Sequence, residues 1–187
     1  NGPAPRWTLL PHARGEAAEP RVRAWLAREF GGGAGDYRFE RDAHGRPRLR
    51  HARLDCSWSH SGERLLVACA AGLRVGADLE VVRPRANALA LARRFFAAEE
   101  IDWLQGRGDG ARAPERDFLR LWCAKEAVLK AHGRGLAFGL HRLAFAEDKG
   151  ALSLRRCDAE LGDARDWMLR EFAPAPGTLA ALAWRRG

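Results

Sequence analysis

Lysine is almost missing from this chain. Of its 32 Lys and Arg residues only Lys125, Lys130 and Lys149 are lysines, and two of these stand five residues apart. Where arginine serves for nearly every cation, a lysine marks a position that wants a compact, flexible point charge, suited to a phosphate or a buried ion pair. Ordinary salt bridging is the plainer reading. Long apolar runs are also missing. No stretch approaches the roughly 18 consecutive apolar residues of a membrane-crossing helix, so no membrane partner is expected. No signal-peptide pattern is present either, which makes the expected location cytoplasmic. The four cysteines, Cys56, Cys69, Cys123 and Cys157, have no CxxC spacing and sit in apolar runs. That argues against a disulfide frame or a zinc site and for reduced core residues. There is no internal repeat.

What is present is a globular composition with a large positive excess. A hydrophobic content of 47% over 187 residues can bury a sizeable core, as one domain or two tightly joined halves. A net charge of +8 implies an anionic partner. Nucleic acid is one candidate, but the arginines are scattered, with no basic run and no RNA-binding aromatic motif. A basic nucleic-acid-binding protein therefore remains only as an alternative reading.

Periodicity divides the chain into mixed elements. Val22, Trp25, Leu26 and Phe30 predict an amphipathic helix closed by Gly31–Gly33, after a Pro-rich, indistinct start. Residues 37–40 alternate like a strand and lead into a turn over 42–49 with Gly45 and Pro47. Short strand-like runs cover 56–60, 65–71 and 73–82. Helices are expected over 88–96, 99–104 and 115–132, with a loop at 106–114 between the last two. Strand-like pieces return at 142–146, 151–155, 167–172 and 178–184. The order argues for an α+β fold.

Three constellations carry chemistry. In the 115–132 helix an apolar stripe of Phe118, Leu121, Trp122, Val128 and Leu129 contains Lys125. Glu126 and Lys130 stand at its edge, four residues apart on one face. An exposed pair of this kind contributes only ~0.2–0.5 kcal/mol, so stability is a weak reason for it. A charged site against an apolar wall is the sharper reading. In Val75-Gly-Ala-Asp-Leu-Glu-Val81, Asp78 and Glu80 share one face of a strand. Two such carboxylates repel unless a cation lies between them. A hard divalent ion fits, and so does pairing with Arg83 or Arg85 at a sheet edge. The third is Cys56-Ser-Trp-Ser-His-Ser-Gly62, preceded by Gly45-Arg-Pro47. Arg46 offers a fork for phosphate, and Ser59 and His60 add a hydroxyl and an imidazole. A histidine at a strand end can equally be structural.

Trp122-Cys-Ala-Lys-Glu-Ala-Val-Leu-Lys130 with Gly133-Arg-Gly-Leu136 resembles the W-x-x-K-E-A-x-x-K-x-x-G-x-G-L signature of the 4′-phosphopantetheinyl transferases. Val75–Val81 is similar to that family's [VI]-G-[VI]-D-[IL]-E, with Ala77 a mild departure. Ser59–Gly62 is similar to F-N-x-S-H-S, although Cys56 and Ser57 replace Phe-Asn. Gly45–Pro47 resembles the family's G-[KR]-P turn, and Phe95–Glu99 its R-F-F-x-x-E stretch. The motifs occur in family order over roughly residues 45–136.

The resemblance implies transfer of the phosphopantetheine arm of coenzyme A to a serine of an acidic apo acyl or peptidyl carrier protein, with release of 3′,5′-ADP. Coenzyme A or the carrier would account for the basic charge. A silent relative that binds either without transfer is the other alternative. A chain of this length resembles the surfactin-synthetase-activating type, a monomer of two similar α/β halves. By analogy these are residues 1–74 and 75–187, with the site in the cleft between them. Asp78, Glu80 and Glu126 would hold Mg²⁺, or Mn²⁺ in its place, and Glu126 and Lys130 would be catalytic. Arg46, Ser59, His60, Lys125 and Lys130 would contact coenzyme A, with a buried ion pair as the other role for Lys125. Arg107 and Arg112, in the 106–114 loop, are candidates for carrier docking, a passive linker being the alternative.

Overall fold

A computed structural model describes residues 4–107 and 114–187. Strand β1 (Arg6–Pro11) is followed by helix α1 (Glu19–Phe30), short strands β2 (Phe39–Arg41) and β3 (Pro47–Leu49), then β4 (Leu54–Ser61), β5 (Arg64–Ala71) and β6 (Leu73–Val81). Three helices come next: α2 (Ala88–Phe95), α3 (Ala98–Gly106) and α4 (Pro114–His132). The hairpin β7 (Leu143–Asp148) and β8 (Ala151–Cys157) and the pair β9 (Met168–Phe172) and β10 (Thr178–Arg186) close the chain. The architecture is α+β, as expected. Strand β1 was not anticipated. Its prolines flank the strand instead of interrupting it, and β1 is an edge strand, where Pro11 at the last pair costs no central ladder bond.

Two antiparallel sheets, ordered β1-β5-β4 and β6-β10-β9, each carry one long helix. Val22, Trp25 and Leu26 of α1 pack on Cys56, Leu65, Val67 and Cys69 of the first sheet. On the second, α4 buries Leu121, Ala124, Ala127, Val128 and Ala131 against Ala181 and Ala183. The remaining faces meet each other, with Leu66, Ala68 and Ala70 against Val75, Ala77, Leu79 and Leu182. The division expected at residues 74/75 falls two residues inside β6, just after the turn at Gly72.

Two glycines set the position of α4. A Cβ on Gly76 would collide with the Ala127 carbonyl and the Ala131 amide, so only glycine lets β6 run directly under the helix. Gly133, at φ 96°, ends α4 with its amide on Leu129 O at 2.8 Å. The helix starts on Pro114 with Glu115 and Asp117 in its first turn and ends with Lys130 and His132 in its last, complementing its dipole.

Candidate active site

Strands β4 and β6 meet through side chains, not through a backbone ladder. Asp55, Ser57, Ser59 and Ser61 occupy alternate positions of β4 and therefore one face. Asp55 Oδ2 accepts Val75 N at 2.9 Å, Ser57 Oγ accepts Ala77 N at 3.1 Å, and Ser61 Oγ accepts Val81 N at 3.1 Å. Ser59 Oγ instead donates to Asp78 Oδ1 at 2.8 Å. Asp55, Ser57 and Ser61 were missed in the sequence. Their signal is there, as a polar residue at every second position from 55 to 61.

Asp78 is the centre of the site. It is buried, and Lys130 Nζ donates to the same Oδ1 at 2.6 Å. Its other oxygen, Oδ2, is buried without a hydrogen-bond partner among the described residues. Glu80 Oε2 lies 3.4 Å from both Ser61 Oγ and an Arg85 nitrogen. So the sheet-edge pairing with Arg85 is present, but it occupies Glu80 alone. Glu126, half-buried on α4, has its pKa pushed up to about 7 by burial and then by the Asp78 charge. Burial and then Asp78 also raise that of Glu80. Burial works against the Lys130 ammonium, yet Asp78 and Glu126 outweigh it and hold its pKa above the usual lysine range. Beneath the pair, burial and then Asp78 and Glu80 keep the Cys123 thiol protonated.

Asp78, with an orphaned buried oxygen and a charge that raises the pKa of both Glu80 and Glu126, suits an added cation. Among the described residues no three acidic side chains close on a point to form a cage. An open arc is the arrangement a magnesium ion takes when phosphate and water complete its shell.

Beside this arc opens a pocket of about 200 Å³. His44, Gly45, Arg46 and Pro47 form one wall, Cys56, Ser57 and Trp58 of β4 a second, and Leu129, Lys130, Gly133 and Gly135 at the end of α4 the third. Lys130 belongs both to the pocket and to the carboxylate arc. The structure thus brings Asp78, Glu80, Glu126, Lys130 and Ser59 together.

Other expected contacts take different places. Lys125 is fully buried, with Nζ 2.7 Å from Glu100 and hydrogen bonds to the carbonyls of Leu140 and Leu143. The rings of Phe96 and Phe145 lie 5.1 and 5.8 Å from it. No solvent-borne ligand reaches this ammonium, so it is a core ion pair and not a coenzyme A contact. Arg46 lines the pocket, but its guanidinium is engaged: it donates to Asp55 at 2.8 Å, Val75 O at 3.0 Å and Ala131 O at 3.2 Å. It is a strut between β3, β4, β6 and α4, with its charge matched by Asp55, rather than a free phosphate fork. His60 is exposed on the face of β4 opposite Ser59, and its ring lies tilted against that of buried His12, with centroids 4.8 Å apart. Arg107 pairs with Asp117 and Glu147 and covers the Trp103 ring. Arg112 lies outside the described residues.

The sequence pattern of the 4′-phosphopantetheinyl transferase superfamily matches residues 74–176. The chain is 32% identical over 166 residues to the 4′-phosphopantetheinyl transferase HetI of Nostoc sp., covering 87% of this chain and 66% of HetI. A Synechocystis sp. relative is 31% identical over 151 residues, which span 79% of this chain and 59% of the relative. The 4′-phosphopantetheinyl transferase Sfp of Bacillus subtilis is 30% identical over 122 residues, 64% of this chain and 51% of Sfp. The chain thus spans about three fifths to two thirds of the first two of these relatives.

Proposed function

This chain belongs to the 4′-phosphopantetheinyl transferase superfamily, and from that premise we propose that it moves 4′-phosphopantetheine from coenzyme A to a serine of an apo acyl or peptidyl carrier protein. The observation that carries the proposal is Lys130, one ammonium shared between the cleft and the carboxylate arc of Asp78, Glu80 and Glu126. In this reading the two sheet-and-helix units are the two halves of a monomeric, single-chain enzyme.

The pocket walls at His44–Pro47, Ser57–Trp58 and the end of α4 would hold the nucleotide end, leaving its pyrophosphate beside Lys130. His60, exposed on the face of β4 opposite Ser59, would meet an outer phosphate, while Ser59 donates to Asp78. Asp78, Glu80 and Glu126 would hold Mg²⁺, or Mn²⁺ in its place. Bound there, the ion would supply positive charge against the phosphate oxygens.

Glu126, with a pKa near 7, is matched to taking the proton from the carrier serine, directly or through a water. The serine oxygen then bonds to the phosphopantetheine phosphorus, and the bond from that phosphorus to the bridging oxygen breaks. The electron pair leaves with 3′,5′-ADP. Lys130, positive at any working pH, neutralises the charge that grows on the phosphates.

Mass spectrometry of apo-carriers incubated with coenzyme A and Mg²⁺ tests the proposal. The carrier is expected to gain the phosphopantetheine mass only when both are present. No gain across acyl and peptidyl carriers would favour a silent relative, and undiminished transfer in excess EDTA would remove the metal role of Asp78 and Glu80.

A further inference from the structure

Ser59 and Ser61 stand two residues apart on β4, and Asp78 and Glu80 stand two residues apart on β6. The spacing matches, and each hydroxyl reaches one carboxylate: Ser59 Oγ to Asp78 Oδ1 at 2.8 Å, Ser61 Oγ to Glu80 Oε2 at 3.4 Å. Ser61 is itself fixed, because its oxygen also accepts Val81 N. Nothing local to β6 supplies these hydroxyls. They cross from the first sheet to the second.

The consequence is sharpest at Asp78. An ionised carboxylate has roughly four lone-pair sites over its two oxygens. Among the described residues, the hydrogen bonds it accepts from the Ser59 hydroxyl and the Lys130 ammonium both fall on Oδ1. Oδ2 is left buried, with no hydrogen-bond partner among the described residues. A buried oxygen without a partner is costly unless something positive comes to it.

We infer that Ser59 and Ser61 are positioning residues that aim Asp78 and Glu80 at the cation, so that the first sheet sets the metal affinity of carboxylates carried by the second. This rests on the reading of Asp78 and Glu80 as cation ligands. Ser59 thereby acts through Asp78 and needs no contact with coenzyme A. Partners behind metal ligands commonly contribute about 10–100-fold to affinity. Ser59, with the shorter bond, carries the larger share.

Mn²⁺ titration followed by the loss of the free-ion EPR signal tests this in the protein alone, without coenzyme A or carrier, so that neither turnover nor coenzyme binding enters the reading. Ser59→Ala is expected to weaken Mn²⁺ binding about tenfold or more, Ser61→Ala by less, and Ser59→Thr, which keeps the hydroxyl, to restore it. Ser57→Ala is the control for mere loosening of the seam. Ser57 lies on the same face, and its hydroxyl meets the Ala77 amide in place of a carboxylate, so its loss should leave Mn²⁺ affinity in place. Wild-type affinity in Ser59→Ala, or an equal loss in Ser57→Ala, overturns the inference and leaves the metal reading standing. If the wild-type protein binds no Mn²⁺, the metal reading fails and takes the inference with it.

Discussion

Lys130 Nζ lies 2.6 Å from Asp78 Oδ1, joining α4 to β6 at the point where the cleft meets the carboxylates. The lysine is more than half covered, on a helix that Gly76 allows to approach β6 closely. A guanidinium keeps the charge but needs a planar fork and a longer reach. Lys130→Arg is therefore expected to fold, to keep its melting temperature within a few degrees, and to lose roughly a hundredfold in transfer rate, about 2.7 kcal/mol of barrier. Transfer to apo-carrier under single-turnover conditions measures it. Wild-type turnover would mean that any cation serves.

Glu126 gives a pH test whose sign can be worked through. Its carboxyl has an ordinary value of 4.5 when unfolded and about 7 when folded. Between those values the folded state binds more protons, so its stability falls as pH rises and levels off above about 7. The full effect is on the order of 1–3 kcal/mol. In EDTA, Glu126→Gln should gain stability relative to the wild type between pH 5 and pH 8, read from paired urea melts. A base that must be ionised also predicts that kcat/KM rises with pH through about 7. A cation on the arc should move that limb to lower pH.

Arg46 is expected to behave as a strut. Replacing it with Ala leaves Asp55 and the carbonyls of Val75 and Ala131 short of donors in a nearly dry seam. Such losses cost about 1–3 kcal/mol or more. The melting temperature should drop, and coenzyme A and its dephospho form should weaken by equal factors in calorimetric titrations. A selective loss of preference for the 3′-phosphate would instead give Arg46 a direct phosphate contact.

The part of the site visible in the sequence was the part that short periodicities generate. Asp78 and Glu80 are placed by a spacing of two along β6, Glu126 and Lys130 by a spacing of four along α4. Each pair could be read within its own element. That Asp78 and Lys130 would meet follows from Gly76, whose need is set by the approach of α4, 50 residues later. The partner of Lys125 was hidden for the same reason. Glu100 looks like an ordinary first-turn acid of α3, where it also caps Ala97 N, and only packing turns it towards the core. Strand β1 was obscured by composition, since flanking prolines look like interruption until the edge position is known.

Lys125 and Glu100 make the next prediction. Both are essentially dry, and Glu100 also accepts the amides of Ala97 and Phe145. Removing one member of a buried pair costs about 3–5 kcal/mol, because the other charge is left uncompensated. Lys125→Ala should therefore lower the urea midpoint steeply while the folded fraction keeps its coenzyme A affinity. A lost affinity at unchanged stability would return Lys125 to the binding site.

The last prediction separates docking from structure at Arg107. This arginine is only partly exposed and engages Asp117, which is fully buried, and Glu147. Arg120, with 7% of its side chain exposed, pairs with the same two acids and with Glu171. The network ties the start of α4 to the β7–β8 hairpin and β9, so Arg107 neutralises charge within the fold before it can attract any outside. Arg107→Glu places a third carboxylate beside Asp117 and Glu147 where like charges repel in a poorly solvated setting. It is expected to lower the melting temperature by several degrees, consistent with a loss of about 1–3 kcal/mol, and more at low salt than at high. The KM for carrier should stay unchanged, with only the apparent kcat following the folded fraction. Arg112→Glu made alone is the complementary variant. If the acidic carrier is steered by this segment, that change should raise the carrier KM at low ionic strength, fade as salt is added, and leave the KM for coenzyme A unchanged. Flat carrier kinetics for Arg112→Glu across a salt series would assign the 106–114 segment the role of linker and move the docking surface elsewhere.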